Sequence, residues 1–255
     1  MSGGKKEHNR KIYDLVFSIG EACSCTQAIR SAGLQLYSYP LDWLFGSNFE
    51  GRCEILANRF ENFINKKDLE YTYSERSIKC NAYHNIQNDI TFNHDFLESV
   101  SFDEMYELVK KKYDRRIKRL LKQINKSKNI LVVYIETPTK THASISDECI
   151  IKSVQLVKDA YKNKNFDFLY FSNVKENFRE NNITKDIKKI ECAYKDYSSE
   201  YDYTVILEVL TNYLKNYQLK IPKSYIVRQK IIKFIINIIP NKAKRKNLRI
   251  KYHVQ

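Results

Sequence analysis

We expect this chain of 255 residues to fold as an α/β protein with a three-layer, mainly parallel, Rossmann-like sheet and helices on both faces. Two observations favour this class. Apolar segments of strand length alternate with segments of helical periodicity, which is the pattern of consecutive strand–helix–strand units. The apolar run within residues 129–136 is continuous, as in a central parallel strand that is buried on both faces. Hydrophobic residues make up 43% of the chain, which is enough for a large core.

The individual elements follow from local patterns. A first strand over residues 12–19 ends at Gly20, and a short helix over residues 24–31 is terminated by Gly33. A compact loop at residues 38–43 leads to a helical segment at residues 48–64. The later elements are a mixed region with a short hairpin at 65–100, a charged helix at 103–124, a strand at 129–136, a helix at 146–162, strands at 166–171 and 187–194, and a helix at 205–217.

The charge distribution separates the chain into three parts. We expect a disordered tail at residues 1–10, a single α/β domain at 11–217, and a basic extension at 218–255 that begins with an amphipathic helix. Eleven of the 44 basic residues follow Leu219, where no acidic residue occurs, whereas the preceding part holds 33 basic and 30 acidic residues. The net charge of +14 therefore belongs mainly to the extension. This argues against a nucleic-acid groove and for contact of residues 220–251 with an anionic membrane surface, although packing of the apolar helix face on the domain is the alternative.

Several classes of protein are disfavoured. No apolar stretch could span a bilayer, and the first residues lack the apolar core of a signal peptide, so we expect a cytoplasmic protein, at most peripheral at the inner membrane face. Only Cys23 and Cys25 are close in sequence, and their spacing matches no zinc signature, so no metal is predicted. Dinucleotide and P-loop fingerprints are missing. The basic run at residues 110–119 could contact phosphate, but the solvated face of a helix is the simpler interpretation.

The turn after the first strand is the candidate functional centre. The chain has six glycines, and the four outside the N-terminal tail all lie between Gly20 and Gly51. The positions at which the backbone could turn tightly or approach a substrate closely are therefore concentrated in this segment. Cys23 follows Gly20 at the expected start of a helix, where free amides would lower the pKa of a thiol and could hold an oxyanion. Cys25 lies deeper in the helix and is therefore the second candidate for the nucleophile. A buried, inert cysteine is the structural alternative.

A nucleophilic cysteine needs a proton acceptor. His94 ends a strand-like run and His142 follows the strongest strand, so either could reach the edge of the sheet. Asp42, Asp95 and Glu136 are the carboxylates that could orient such a histidine. Each histidine could equally have a structural role, and Asp42 could equally cap a helical turn.

The residues around Cys23 resemble a known family. The segment from Tyr13 to Cys23 (Tyr-Asp-Leu-Val-Phe-Ser-Ile-Gly-Glu-Ala-Cys), the Ala-Ile-Arg that ends at Arg30 and the Ser-Tyr-Pro-Leu-Asp-Trp that ends at Trp43 resemble the putative papain-like cysteine peptidase family of bacteria. That family was long catalogued as a domain of unknown function. Its helix usually carries Leu-Arg and its loop Pro-Phe-Asp-Trp, so this chain departs from it at Ile29 and Leu41. The resemblance spans about residues 12–175, and it includes Phe-Asn-His-Asp-Phe at 92–96 and Arg-Arg-Ile at 115–117.

The resemblance implies a set of site residues. Cys23 corresponds to the family's nucleophile, His94 to its base, and Asp42 with Trp43 to its Asp-Trp pair. We take Asp42 as the third catalytic candidate. The substrate-binding candidates are Gly20, Glu21, Arg30, Trp43, Asp95 and His142.

The resemblance also leaves the reaction open. Papain begins with the helix that bears its cysteine, whereas the strand-first layout here looks like hydrolases and acyltransferases, and like a capsule-polysaccharide family with a suspected coenzyme A site. This implies an acyl or glycan substrate, coenzyme A as the cofactor to consider, and a role in surface-polysaccharide modification. The alternatives are a non-catalytic protein that binds a glycan or nucleotide-sugar, and a glycosyltransferase-like enzyme that uses Asp42 or Glu136. In both alternatives the tail would hold the protein at the membrane.

Overall fold

The computed structural model describes residues 11–75, 78–136, 145–173, 178–192 and 203–252. The chain divides into two compact units, residues 1–219 and residues 220–255. The tail predicted at residues 1–10 lies outside the described residues.

The first unit contains strands and helices in alternation. Its strands are β1 (Lys11–Tyr13), β2 (Leu15–Ser18), β3 (Phe45–Gly46), β4 (Leu69–Glu75), β5 (Cys80–Asn85), β6 (Ile90–Leu97), β7 (Asn129–Ile135), β8 (Asn165–Asn173), β9 (Arg179–Thr184), β10 (Ile187–Cys192) and β11 (Tyr217–Leu219). Its helices are α1 (Cys23–Ser31), α2 (Phe49–Ala57), α3 (Phe102–Lys126), α4 (Asp147–Ala160) and α5 (Tyr203–Leu214). The second unit contains α6 (Lys223–Asn237) and α7 (Lys242–Tyr252).

The strands form several sheets of different type. The largest has the order β2-β7-β8-β10-β9, in which β9 is antiparallel to β10 and the other pairs are parallel. A four-stranded sheet with the order β3-β6-β5-β4 is antiparallel throughout. Strands β1 and β11 form a two-stranded parallel sheet. The α/β class is thus confirmed, but the expected single, mainly parallel, three-layer Rossmann-like sheet is corrected to mixed and antiparallel sheets.

The antiparallel sheet lies in the region where the sequence predicts only a short hairpin. Its turns use residues other than glycine in the left-handed conformation, Lys79 at φ 53° and Asp89 at φ 51°. Such turns lack the Gly signal by which hairpins are usually recognised. Alternate side chains of β6, including Phe92 and Phe96, are buried in a core that also contains Tyr113 of α3.

The five-stranded sheet places its alternate side chains in two hydrophobic cores. Phe17 and Val132 belong to the core that includes residues of α2, α3 and α4. Val16 and Val133 belong to the core that includes residues of α1 and α5. Strand β2 is therefore buried on both faces, and its end leads directly into α1.

Several boundaries differ from the predicted ones, and the helix predicted at residues 48–64 already ends at Ala57. The predicted first strand is divided at Asp14, whose carboxylate accepts hydrogen bonds from the amides of Lys128 and Asn129 at 3.0 Å each. In the second unit, the basic run after the amphipathic helix forms a further helix, α7. Over the described stretches of the chain, no helix is both long and apolar enough to cross a bilayer.

Candidate functional site

Cys23 lies at the turn that joins β2 to α1. Beyond the end of β2, the amide of Ile19 donates to Val133 O at 2.9 Å and that of Glu21 to Ile135 O at 3.3 Å, so the turn follows β7 to the carboxyl edge of the sheet. Ala22 precedes the helix with extended backbone at φ −146°, and no side chain caps the helix. The first turn also lacks an acidic residue. The helix N-terminus at Cys23 is therefore not occupied by a carboxylate or hydroxyl of its own.

The Cys23 thiol is largely buried, with 9% of the residue exposed. Burial raises the pKa of Cys23 to about 11 from its ordinary 9.0, and the Asp42 carboxylate also raises it, whereas the Cys23 amide and the Arg52 guanidinium lower it. The sequence-based expectation of a lowered pKa is therefore corrected, because desolvation outweighs the helix N-terminus. The resting thiol is protonated at neutral pH.

Cys25 is fully buried and packs against the turn. Its Sγ donates to Val133 O at 3.4 Å, and burial raises the pKa of Cys25 to about 12. A Cβ at Gly20 would lie 2.4 Å from Cys25 Cβ and 2.8 Å from Cys25 Sγ. The space beside Gly20 is therefore filled by Cys25, which gives both residues a role in packing this turn.

Arg52 of α2 is fully buried and binds the backbone on both sides of the site. Its guanidinium donates to the carbonyl oxygens of Gly20 at 2.5 Å, Leu44 at 2.9 Å, Gly46 at 2.7 Å and Ser47 at 3.2 Å. Burial lowers the pKa of Arg52. Arg52 thus fixes the turn before Cys23 and places a positive charge close enough to act on the thiol.

Arg52 was not predicted as a site residue from the sequence, although its position within the helix indicated burial. Arg52 lies three residues after Phe49 and four before Leu56 in a helical segment, so it falls on the apolar face. A basic residue on such a face requires carbonyl or carboxylate partners when buried. Because the chain has 44 basic residues, only its place on the apolar face of a helix distinguishes Arg52 from the others.

Glu21 is also buried within the turn, with 3% of the residue exposed. Its Oε1 accepts the hydroxyl proton of Tyr134, and its charge acts on Arg52. Burial, followed by the Glu21 charge, raises the pKa of Tyr134 well above its ordinary value. The next tyrosine on the neighbouring strand, Tyr170, donates to Glu136 Oε1 at 3.5 Å. The carboxylates of Glu21 and Glu136 are thus engaged with tyrosines of the sheet.

Asp42 is fully buried, and one of its oxygens has partners on the same loop. Oδ2 accepts hydrogen bonds from the Tyr39 amide and from Gln35 Nε2 at 2.7 Å each, and it lies 3.7 Å from Arg30 Nη2. Oδ1 has no hydrogen-bond partner among the described residues. Burial raises the pKa of Asp42 to about 6, although these donors and Arg30 oppose the shift.

Arg30 and Trp43 are brought together with Asp42. The Arg30 guanidinium lies 5.2 Å from the centroid of the Trp43 ring, and its Nη2 donates to Ser38 Oγ at 2.8 Å. The predicted Arg30, Asp42 and Trp43 therefore form one contiguous group beside the turn of Cys23.

Of the two predicted histidines, the structure describes only His94, and it does not bring this residue into hydrogen-bonding contact with Cys23. His94 is exposed on β6 and makes no hydrogen bond or ion pair with the residues that the structure describes. The adjacent Asp95 is buried and accepts from Tyr113 OH at 2.7 Å and from Lys112 Nζ. His142 lies outside the described residues.

Two surface cavities lie away from the Cys23 turn. One of about 420 Å³ is lined by residues of α3 and α4 with Arg59, and one of about 540 Å³ by residues around α2 with Asp89. Neither is lined by Cys23. The candidate site is therefore identified by the turn and its charges rather than by a cavity.

A cysteine at the first strand–helix turn of an α/β fold, with helix amides and a buried cation beside it, defines a candidate cysteine hydrolase. Residues 14–174 match the family described as putative papain-like cysteine peptidase, and the chain belongs to this family. The resemblance predicted from the motifs is thus confirmed, and it supports cysteine hydrolase chemistry at the level of the class. Comparisons with curated proteins and with solved structures gave no match.

Proposed function

We propose that this chain is a cysteine-dependent hydrolase of acyl compounds in which Cys23 Sγ attacks the carbonyl carbon. The observation that carries the proposal is the place of Cys23, the first residue of α1 at the carboxyl edge of the sheet, with an uncapped helix N-terminus. Family membership supports cysteine hydrolase chemistry at the level of the class. Amides of the first helical turn would hold the carbonyl oxygen as it gains charge.

The reaction has two steps. As the Sγ–C bond forms, the thiol proton leaves for a base, and the carbonyl electron pair moves to the oxygen. Collapse of this intermediate breaks the bond to the leaving group, which takes the proton, and leaves a thioester on Cys23. Water then attacks the thioester, releases the acid and restores the thiol.

The raised pKa of Cys23 makes the proton acceptor essential. His94 is the proposed base because of its place in the family motif, and His142 is the alternative. The Arg52 charge assists either one, since it lowers the pKa of the thiol. Separate His94→Gln and His142→Gln variants test this assignment, because loss of the base should slow thioester formation without changing the folded state.

The nucleophile is tested by trapping the thioester. The full chain is mixed with p-nitrophenyl acetate, and the acetylated peptide is identified by mass spectrometry. We expect acetyl-Cys23 in the wild type and its loss in Cys23→Ala. The control Cys149→Ala removes a partly exposed thiol of α4 and should retain it. Acetylation at another cysteine, or full turnover by a folded Cys23→Ala variant, would refute the proposal.

Acyl transfer is the finer form of the same proposal. The acyl group of the Cys23 thioester is transferred to water in a hydrolase and to a hydroxyl group in a transferase. Both reactions therefore share the first step, formation of the thioester. Transfer from coenzyme A onto a surface polysaccharide is proposed from the resemblance of the sequence to a capsule-polysaccharide family with a suspected coenzyme A site. Incubation with acetyl-coenzyme A and a glycan acceptor, followed by mass analysis of the glycan, separates transfer from hydrolysis. In the alternative of a non-catalytic binding protein, Cys23→Ala would bind the ligand as the wild type does.

We further propose that residues 220–255 hold the protein at an anionic membrane surface. Five apolar side chains are at least half exposed and recur on one side of α6 and its C-cap: Val227, Ile231, Phe234, Ile235 and Ile238. At 100° per residue they fall within an arc of about 100°. The residues from 220 onward include eleven basic and no acidic side chains. An apolar stripe beside basic residues fits the headgroup region of an anionic bilayer, where each cation adds about 1 kcal/mol.

Vesicle co-sedimentation tests the membrane proposal. We expect the full chain to sediment with phosphatidylglycerol vesicles at low salt and to stay in solution with phosphatidylcholine alone. Phe234→Gln keeps the charge and should weaken sedimentation at least about tenfold, because it removes the most exposed ring of the stripe. Leu108→Gln, at an equally exposed apolar residue of α3, is the matched control. Unchanged sedimentation of Phe234→Gln would overturn the proposed role of the stripe.

A further inference from the structure

Two arginines from different helices bind one loop residue, and the charge of a third acts on both of them. Arg30 Nη2 of α1 donates to Ser38 Oγ at 2.8 Å, and Arg119 Nη1 of α3 donates to the Ser38 carbonyl at 3.0 Å. Arg116 lies one turn before Arg119, and its charge acts on both other arginines. The loop at Ser38 thus brings the guanidinium groups of Arg30 and Arg119 together, within reach of the charge of Arg116.

The positive charge of this cluster exceeds the negative charge that faces it. Asp42 is the carboxylate whose charge acts on both Arg30 and Arg116. Asp95, which is reached through the hydroxyl of Tyr113, is ion-paired with Lys112. Burial lowers the pKa of Arg30, with a further contribution from Arg116, and burial and neighbouring arginines lower that of Arg119. Three cations and one carboxylate leave a local charge of about +2, which matches the charge of a phosphate monoester at neutral pH.

The cluster also has unused hydrogen-bond donors. Arg116 Nη1 is buried and has no hydrogen-bond partner within the described part of the chain. An unpaired buried donor on a charged group is unfavourable, and an anionic oxygen that accepted its hydrogen bond would remove this cost. A guanidinium has five N–H groups, whereas Arg30 and Arg119 each donate one hydrogen bond to Ser38.

Aromatic rings hold these guanidinium planes in place. Arg119 lies 5.2 Å from the centroid of Tyr37, and Arg116 lies 5.3 Å from that of Tyr113. Stacked arginines lose less conformational entropy when they bind a phosphate in bidentate geometry. The cluster is therefore preorganised for an anion, unlike a set of exposed arginines.

The cluster and the thiol lie along the same helix. Cys23 and Arg30 are seven residues apart on α1, which places them on one face at a separation of about 10 Å along the axis. Asp42 lies beside Arg30, and its charge reaches Cys23. We propose that Arg30, Arg116 and Arg119 bind a phosphate group of the acyl substrate whose carbonyl carbon Cys23 attacks. This proposal rests on the proposed function for the identity of the reacting group.

Phosphate binding is measured on the full chain by thermal unfolding with inorganic phosphate, against chloride at matched ionic strength. Because a ligand of the folded state raises Tm, we expect phosphate to stabilise the wild type. Arg116→Gln should lose most of this shift. Lys118→Gln removes an exposed charge two residues away on the same helix and should keep it. A Lys244→Gln/Lys246→Gln variant should also keep it, which separates the cluster from the basic extension.

The outcomes of these experiments distinguish a failure of the anion site from a failure of Cys23 as the nucleophile. No phosphate effect in the wild type, or an equal effect in Arg116→Gln, would overturn the anion site even if acetyl-Cys23 forms. Phosphate binding that depends on Arg116, in a chain that forms no thioester, would refute the nucleophile and leave the anion site in place. Cys23→Ala should bind phosphate as the wild type does.

Discussion

Replacing Asp42 by asparagine should alter the pH dependence of stability in a calculable way. The carboxyl is fully buried, and burial raises its pKa to about 6 from the ordinary 3.8. The hydrogen bonds from Tyr39 and Gln35 and the nearby Arg30 reduce this shift but do not cancel it. Asparagine has nearly the same shape, can accept the same two hydrogen bonds and cannot titrate.

The sign and the size follow from proton linkage. Because the folded pKa lies above the unfolded one, the folded state binds the Asp42 proton more tightly. This contribution to stability is complete below about pH 4 and is lost as the pH rises through about 6. A difference of about two pKa units, at about 1.4 kcal/mol each, corresponds to about 3 kcal/mol. The wild type loses this amount over that range, and Asp42→Asn does not.

Urea unfolding of both proteins at pH 4 and pH 7.5 measures the effect. The free energy of unfolding of Asp42→Asn relative to the wild type should rise by about 3 kcal/mol between the two conditions. Any cost of the substitution that does not depend on pH cancels in this comparison, whereas the interaction of ionised Asp42 with Arg30 is already included in its pKa. Glu107→Gln, at an exposed carboxylate of α3, is the control and should show a much smaller change. A relative free energy that stays constant across the range would refute the assignment of a raised pKa to Asp42.

The remaining predictions concern the turn and its support. Arg52→Lys should lower the free energy of unfolding by at least about 3 kcal/mol, because an ammonium group cannot reach all four carbonyls. Arg59→Lys, at an exposed residue, should have little effect, and denaturant unfolding measures both. Gly20→Ala should destabilise by several kcal/mol through contact with Cys25, and Cys25→Ala should not rescue it, since the clashing Cβ remains. Alkylation of Cys23 by iodoacetamide should accelerate about tenfold per pH unit from pH 8 towards 11, and a plateau near pH 7 would contradict the raised pKa.

Much of the fold near the site could be predicted because its signals are local. The apolar run of β2, the turn at Gly20 and the helix of α1 adjoin one another in sequence, and the structure confirms their order. The antiparallel sheet could not be predicted in the same way. Its pairing depends on side chains that meet only in the folded core, and its turns at Lys79 and Asp89 carry no glycine.

The chemistry of the site was harder to predict than its position. The pKa of Cys23 depends on how much of the thiol is removed from water, and this is set by tertiary packing rather than by the position at a helix start. Arg116 shows the same limit. Its place in a basic run indicates a solvated helix face, yet its Nη1 is buried, and its guanidinium lies 5.3 Å from the centroid of the Tyr113 ring.

The glycines of the site have a structural explanation that centres on Arg52. The carbonyls of Gly20 and Gly46 both accept hydrogen bonds from its guanidinium, and Gly46 adopts φ +81°, which a side chain would strain. At Gly51, which precedes Arg52, a Cβ would lie 2.4 Å from a serine hydroxyl. The glycines thus let the backbone close around a buried cation, and that cation holds the turn that carries Cys23. If this is their role, a variant that keeps the charge but loses the geometry, Arg52→Lys, should displace the turn, and alkylation should then report a more exposed Cys23.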